Sequence, residues 1–257
     1  MELDLRNRVV VITGAARGIG AVLAQRFAAE GATVVAFDLA FPDAAEEGEA
    51  TVHPVEQLVC DVADPGSVQA AVDEVARRHG TIDVLVNNAG INVVGQVAEL
   101  DWARWKACFD VNVGGVFLMC QAVAPLMQKA GRGRILNAAS FAAIIPSVGS
   151  AAYAASKSAV VQLTRVLASE LGPWDITVNA YAPGMVPTAM NGFTELPAAQ
   201  QDRLLDTLSL RRWESADDVA NLLIFLASDQ ASYITGTLQD VSGGKLATQI
   251  PAVAYGR

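Results

Sequence analysis

An α/β domain built on one parallel sheet is the fold this chain predicts, and three observations carry that expectation. Short β-branched apolar runs alternate with helical patterns along all 257 residues, the alternation that covers a parallel sheet with helices. No composition break and no repeat interrupts it, so residues 1–257 read as a single domain. The turn leaving the first strand is glycine-rich and an acid closes the second. Strand, glycine turn, helix, strand, acid is the layout of a dinucleotide-binding unit.

Residues 8–13 (RVVVIT) form the first buried strand. Gly14, Gly18 and Gly20 follow at G-x-x-x-G-x-G spacing, then a helical pattern over 21–30 that stops at Gly31. Glycines there let the backbone approach a pyrophosphate, whose charge rests on the amides and positive end of the helix. Residues 32–37 form a second buried strand closed by Asp38. An acid at that place accepts hydrogen bonds from the adenosine ribose hydroxyls and repels a 2′-phosphate, which favours NAD over NADP. Arg17, inside the glycine loop, pulls the other way by offering such a phosphate a partner. Direct repulsion is the harder of the two to escape, so Asp38 decides and Arg17 is left to the adenine or solvent.

Residues 40–55, acidic and alanine-rich with two prolines, connect or form a short exposed helix. A third strand spans 56–60 and ends at Asp61, an amphipathic helix spans 65–79, and a fourth strand spans 83–87. Asn88, Ala89 and Gly90 turn out of that strand. Residues 102–129 are predicted helical, with Asn112 and the Gly114-Gly115 pair in their interior. Glycine costs about 1 kcal/mol inside a helix, so this composition predicts a helix distorted by an asparagine turned toward a site. A fifth strand over 133–137 leads to Ser140. A helix over 151–171 is stopped by Gly172-Pro173, and a sixth strand over 176–181 leads to the Pro183-Gly184 turn. Residues 185–210, rich in Met, Thr and Pro, are expected to be irregular and mobile. Ser215 to Asp218 reads as a capping box for a helix over 219–228, and 237–241 as the last strand.

In the 151–171 helix, Tyr153 and Lys157 stand four residues apart, on one face and about 6 Å from each other. A lysine so placed stabilises phenolate over phenol and lets the tyrosine exchange a proton near neutral pH. Taken alone, such a pair is more often an exposed helix face. The glycine loop before it and the polar groups at Asn112 and Ser140 raise the catalytic reading.

Hydrophobic residues make up 52 % and charged residues 18 % of the chain, a globular composition. A net charge of −9 argues against nucleic acid as a partner. The three cysteines are widely spaced and suit neither a disulfide framework nor a metal site, which predicts a reducing compartment and no metal. The start lacks a signal-peptide pattern. Two long uncharged runs, 111–128 and 135–156, carry polar residues, Gly or Pro and read as buried elements rather than membrane spans. The expectation is a cytoplasmic protein with no membrane partner.

Together, Thr13-Gly14-x-x-x-Gly18-x-Gly20, Asn87-Asn88-Ala89-Gly90, Asn112, Ser140, Tyr153-x-x-x-Lys157 and Pro183-Gly184 resemble the classical short-chain dehydrogenase/reductase family across essentially the whole chain. Only Val241-Ser242-Gly243-Gly244 departs mildly from the usual acid-glycine-glycine. The resemblance implies a Rossmann-like domain with a seven-stranded parallel sheet and helices on both faces. It implies Tyr153 as general acid/base, and Lys157 lowering its pKa and holding the nicotinamide ribose. Ser140 would bind the reacting oxygen, and Asn112 would hold a water that relays protons from Lys157. For the cofactor it adds Ile19, Asp61 and Val62 near the adenine, and Asn88, Ala89 and Gly90 along the adenosine. Val186 and Thr188, after Pro183 and Gly184, would meet the carboxamide and pyrophosphate. A homotetramer built from the Asn112 and Tyr153 helices and the last strand is implied as well.

The expected activity is NAD-dependent interconversion of a secondary alcohol and a ketone by direct hydride transfer. The substrate wall should come from 92–94, 141–148 and 185–193, with Ser140, Ala142, Tyr153, Met185 and Met190 touching the substrate. These segments are largely apolar, which favours a cyclic, aromatic or other hydrophobic alcohol, with a polyol left open. A 3-oxoacyl-carrier reductase is the rival enzyme, opposed by Asp38 and the acidic balance. A non-catalytic NAD-binding module is the rival of another class, opposed by the intact Asn/Ser/Tyr/Lys set.

Overall fold

Seven parallel strands lie in the order β3-β2-β1-β4-β5-β6-β7 in a computed structural model that describes residues 3–42, 53–245 and 247–257. They are β1 (Val9–Thr13), β2 (Thr33–Asp38), β3 (Glu56–Val59), β4 (Val84–Asn87), β5 (Gly133–Ala138), β6 (Ile176–Pro183) and β7 (Leu238–Val241). All five residues of β1 are buried, as a central strand covered on both faces requires. Val10 of β1 stands opposite Val34 of β2 on one side and Val84 of β4 on the other. Strand order reverses at this β1/β4 junction, and the crevice outside the strands' carboxyl ends there is where such sheets bind ligands.

Two apolar layers cover the sheet. α1 (Gly18–Ala29) and α7 (Ala216–Ala227) bury Leu23, Phe27, Leu223 and Ile224 on one face. α2 (Pro65–His79), α4 (Gly115–Ala130) and α5 (Ala151–Leu171) bury Val68, Val72, Met119, Val123 and Val160 on the other. Local chemistry sets the helix ends. Asp64 caps α2 by accepting from Ser67 N–H at 2.8 Å, Pro65 opens the helix, and Gly80 closes it in the left-handed region. Ser215 and Asp218 make the reciprocal capping box expected for α7.

Several features differ from the sequence reading or refine it. α1 begins at Gly18 rather than residue 21, because the glycine turn itself supplies the first helical turn. β6 runs on to Pro183, which pairs with Val241 of β7. The long helix from residue 102 is α3 (Trp102–Phe109), a π-helical turn (Asp110–Gly114) and α4, so the predicted distortion falls on Asn112. Where an irregular, mobile segment was expected, the structure has a 3₁₀ turn (Phe193–Glu195) and α6 (Ala198–Leu205). Arg211 fastens α6 by pairing with Asp202 and Asp206, each at 2.9 Å. Of the 40–55 stretch expected to connect or form a short exposed helix, residues 43–52 lie outside the described residues.

By length and composition Trp102–Ala130 is apolar enough to cross a membrane. In this fold Val116, Met119, Cys120, Val123 and Met127 of that stretch are buried in the core. The three cysteines are free and buried.

Candidate active site

The loop from β1 to α1 is shaped by close approach. A Cβ on Gly20 would stand 2.0 Å from the Gly14 carbonyl oxygen, and one on Gly14, whose φ is +65°, would stand 2.8 Å from Ala89 Cα. Thr13 Oγ1 accepts from Asn88 and Ala89 N–H at 3.0 Å each. Asn88 Nδ2 donates back to the Thr13 and Gly14 carbonyls at 3.0 and 3.1 Å. These four bonds lock the turn after β4 onto the glycine loop. A Cβ on Gly18 would meet nothing within 4 Å. α1 carries neither a side-chain cap nor an acid in its first turn. Its first N–H groups and the open space over Gly18 fit a dinucleotide pyrophosphate.

At the end of β2, Asp38 Oδ2 accepts from Ala16 N–H at 2.9 Å and Oδ1 from Leu39 N–H at 2.8 Å. The carboxylate therefore lies against the glycine loop, in which Arg17 is exposed. Ile19 packs on the α1/α7 layer. Asp61 turns back to accept from Ala63 N–H, and Val62 is buried against Gly115, where a Cβ would stand 2.8 Å from Val62 Cγ2.

Asn112, fully buried in the π turn, fastens the next loop. Its Oδ1 accepts from Ile91 N–H at 2.8 Å. Its Nδ2 donates to Ile91 O and to Ser156 Oγ, both at 3.0 Å. A Cβ on Gly90 would stand 3.2 Å from Asn112 Oδ1 and 3.3 Å from Lys157 Nζ, so its absence leaves room for both side chains beside the loop. Lys157 is buried, donates to Ala138 O at 2.8 Å, and lies 5.7 Å from the Tyr153 ring centroid. Burial lowers its pKa from 10.5 to about 8. Ser140, leaving β5, accepts from Ala142 N–H at 3.1 Å and hydrogen-bonds the Tyr153 side chain.

One expected effect is reversed in this arrangement. Burial raises the Tyr153 pKa, the Ser140 hydrogen bond offsets part of that, and Lys157 does not pull it down. The cause is geometric: the ammonium is turned to the Ala138 carbonyl, while the phenol is shielded from the water that would stabilise a phenolate.

Beyond β6, Gly184 passes so close to Ser242 that a Cβ would stand 2.8 Å from its Cα. Gly184 N–H donates to Glu214 Oε2 at 2.5 Å, and Glu214 N–H donates to Met185 O at 3.2 Å. Val186 O accepts from Asn191 Nδ2 at 2.7 Å, and Thr188 N–H donates to Asn191 Oδ1 at 3.3 Å. Pro183, Gly184, Val186 and Thr188 thus form one braced loop. Met185, expected at the substrate, is buried and lines a cavity of about 160 Å³ shared with Leu208, Leu210, Glu214 and Ser242. Ala142 is buried, whereas Met190, Ile145 and Val148 are exposed and form a rim rather than a closed wall.

Three polar residues escaped the sequence reading. Ser156 sits inside the Tyr153–Lys157 stretch, and its hydroxyl donates to Tyr153 O while accepting from Asn112. Glu214 precedes a capping box and gives no sign of being buried. Lys245, in the tail, reaches Thr207 Oγ1 at 2.6 Å and lies 5.2 Å from the Phe141 ring centroid. Among the described residues no His, Cys, Asp and Glu cluster suits a metal.

Comparison with known proteins agrees with this geometry. A family model described as Enoyl-(Acyl carrier protein) reductase matches residues 14–245. The chain is 38 % identical over 245 residues to the 3-oxoacyl-[acyl-carrier-protein] reductase FabG of Thermotoga maritima, covering 94 % of this chain and 99 % of that protein. It is 37 % identical to the trans-4-hydroxycyclohexanecarboxylate dehydrogenase of Sinomonas cyclohexanicum, covering 94 % and 93 %. A crystal structure of a gluconate 5-dehydrogenase from Burkholderia cenocepacia, in complex with NADP and tartrate, superposes with a TM-score of 0.89. That protein is 35 % identical, with 96 % of this chain and 98 % of that one covered.

Proposed function

The chain belongs to the short-chain dehydrogenase/reductase family, and we propose that within it the protein is an NAD-dependent dehydrogenase interconverting a secondary alcohol and a ketone. The observation that carries this reading is the convergence of Ser140 on Tyr153, with Lys157 and Asn112 each reaching the backbone at Gly90. A bound nicotinamide supplies the hydride acceptor in oxidation and the donor in reduction, so no metal is needed.

In ketone reduction Tyr153 gives its proton to the forming alkoxide, and its raised pKa keeps that proton in place until the oxygen needs it. In alcohol oxidation Tyr153 takes the hydroxyl proton. Ser140 donates to the reacting oxygen as negative charge develops there. Lys157 turns from Ala138 toward the nicotinamide ribose, offsets the phenolate and passes the proton on through a water held at Asn112. Asp38 receives the adenosine ribose hydroxyls and excludes a 2′-phosphate, which supports NAD. Asp61, Val62, Asn88, Ala89 and Gly90 flank the adenosine, and Val186 and Thr188 the nicotinamide half. The exposed apolar rim of Val94, Ile144, Ile145 and Met190 supports a hydrophobic or alicyclic alcohol, and a relative named for a hydroxycyclohexane substrate agrees. Exposed Phe117 on α4 and Val166 on α5 support a homotetramer formed across those helices, and three free cysteines support the cytoplasm.

A second reading, reduction of carrier-bound 3-oxoacyl groups, is favoured by the FabG relative. The test for both is cofactor turnover by the purified protein with NAD(H) and NADP(H). The panel holds aromatic, alicyclic and polyol alcohols and a 3-oxoacyl thioester. NAD⁺-linked oxidation that disappears in Tyr153→Phe while NADH binding persists is the expected result. NADPH-linked reduction of the thioester alone would favour the second reading. Loss of neither binding nor biological activity in Tyr153→Phe would favour a binding module.

A further inference from the structure

Lys245 carries a half-buried ammonium that no carboxylate faces among the described residues. Burial alone shifts its pKa, and downward. It donates to Thr207 Oγ1 at 2.6 Å, and that hydroxyl in turn donates to Leu204 O at 2.6 Å. The Phe141 ring lies 5.2 Å away on the other side. An ammonium has three donors. A neutral hydroxyl and a ring face only partly replace the water lost.

The position is built rather than incidental. Leu210 N–H donates to Gly243 O and Ser209 Oγ donates to Gly244 O, both at 3.0 Å. Gly244 has φ +79°, and a Cβ on it would stand 2.7 Å from the Ser209 side chain, so glycine is what lets the tail run this close. Tyr255 Oη closes the same strap by donating to Ser209 O at 2.7 Å. The tail is thereby held to the segment that follows α6, and Lys245 is suspended between that segment and Phe141. Phe141 is the residue next to Ser140, and opens the 3₁₀ turn (Phe141–Ala143) whose Ala142 N–H bonds the Ser140 hydroxyl. The cation therefore stands over the loop that carries the reacting-oxygen donor.

Resting on the dehydrogenase reading above, we propose that Lys245 binds the carboxylate of a hydroxy-acid substrate whose apolar body lies on Phe141 and whose carbinol carbon reaches Ser140 and Tyr153. One ammonium backed by one hydroxyl matches a single negative charge. A phosphate would call for a guanidinium fork or several cations, and among the described residues the arginines of the neighbouring segments, Arg211, Arg212 and Arg257, are already paired with Asp202, Asp206 or Asp218. The apolar segments that predicted a neutral hydrophobic alcohol are kept as the wall for the body of the molecule; its anionic end is the addition.

The test measures binding of cyclohexanecarboxylate and benzoate, each against its neutral carboxamide, to the NADH-loaded protein by calorimetry. NADH affinity, read first by fluorescence, separates failure of the dehydrogenase reading from failure of this one. The carboxylates should bind about tenfold or more tightly than the amides. Lys245→Arg should keep that preference and Lys245→Gln should lose it, with NADH affinity reporting that both variants are folded. No preference in the parent protein, or a preference kept in Lys245→Gln, overturns the proposal.

Discussion

Replacing Glu214 by glutamine should make the protein more stable, and by an amount that grows with pH. The carboxyl is 7 % exposed; Oε2 accepts from Gly184 N–H, while Oε1 is buried without a partner. Loss of water raises its pKa from 4.5 to about 8, the Gly184 bond offsetting only part of that. Between those two values the folded chain holds one proton more than the unfolded chain, so stability falls as pH rises, by about 1.4 kcal/mol per unit. The loss is absent below about pH 4.5 and complete above about pH 8. At pH 7 it is on the order of 3 kcal/mol, which in a domain of this size is about 6 to 12 °C in Tm. Glutamine keeps an acceptor for Gly184 and never ionises. Thermal unfolding of both proteins without cofactor at pH 5, 6, 7 and 8 should give curves that nearly meet at pH 5 and separate steadily above it. A gap that stays constant with pH would mean that Glu214 is ionised in the fold, and would refute the reasoning.

Three further outcomes follow from the same geometry. Gly20→Ala places a Cβ against the Gly14 carbonyl, so the turn must open; NADH titration should show at least about a tenfold weaker affinity and thermal unfolding a loss of about 1–3 kcal/mol. Asp38→Ser removes the charge that faces a 2′-phosphate, and the ratio of kcat/KM for NADP⁺ to that for NAD⁺ should rise about tenfold or more, read by paired initial rates. With its pKa near 8, Lys157 is charged below that pH and neutral above it, so kcat/KM for ketone reduction should fall above about pH 8. Lys157→Met should flatten that limb and cost about 10²–10⁴-fold in rate, and a limb that persists in the variant would assign it to another group.

What the chain made legible by itself is what short-range chemistry carries. Thr13 to Gly20, Asn87 to Gly90 and Tyr153 to Lys157 each hold their groups within one turn, so residue type and spacing already dictate how the backbone must run. A distortion at Asn112 was legible for the same reason, from an asparagine and two glycines that a regular helix tolerates poorly, though its π form at Asp110–Gly114 was not. α6 was not, being eight residues long and without a side-chain cap to announce it. Met185 lay in an apolar segment that sequence assigned to the substrate wall, and only the assembled fold shows it lining a cavity with Leu208, Glu214 and Ser242. Lys245 meets Thr207 across 38 residues of chain, and Glu214 meets Gly184 across 30. Such contacts leave no periodic trace, because a charge acquires its partner and loses its water only when distant segments close around it. The loss of water also reversed the expected shift at Tyr153. Sequence thus determined the sheet and the glycine loop, and singled out the proposed catalytic set, through spacing. Tertiary structure decided which of those groups are dry, which are paired and which cation is left waiting, because desolvation belongs to the assembled environment.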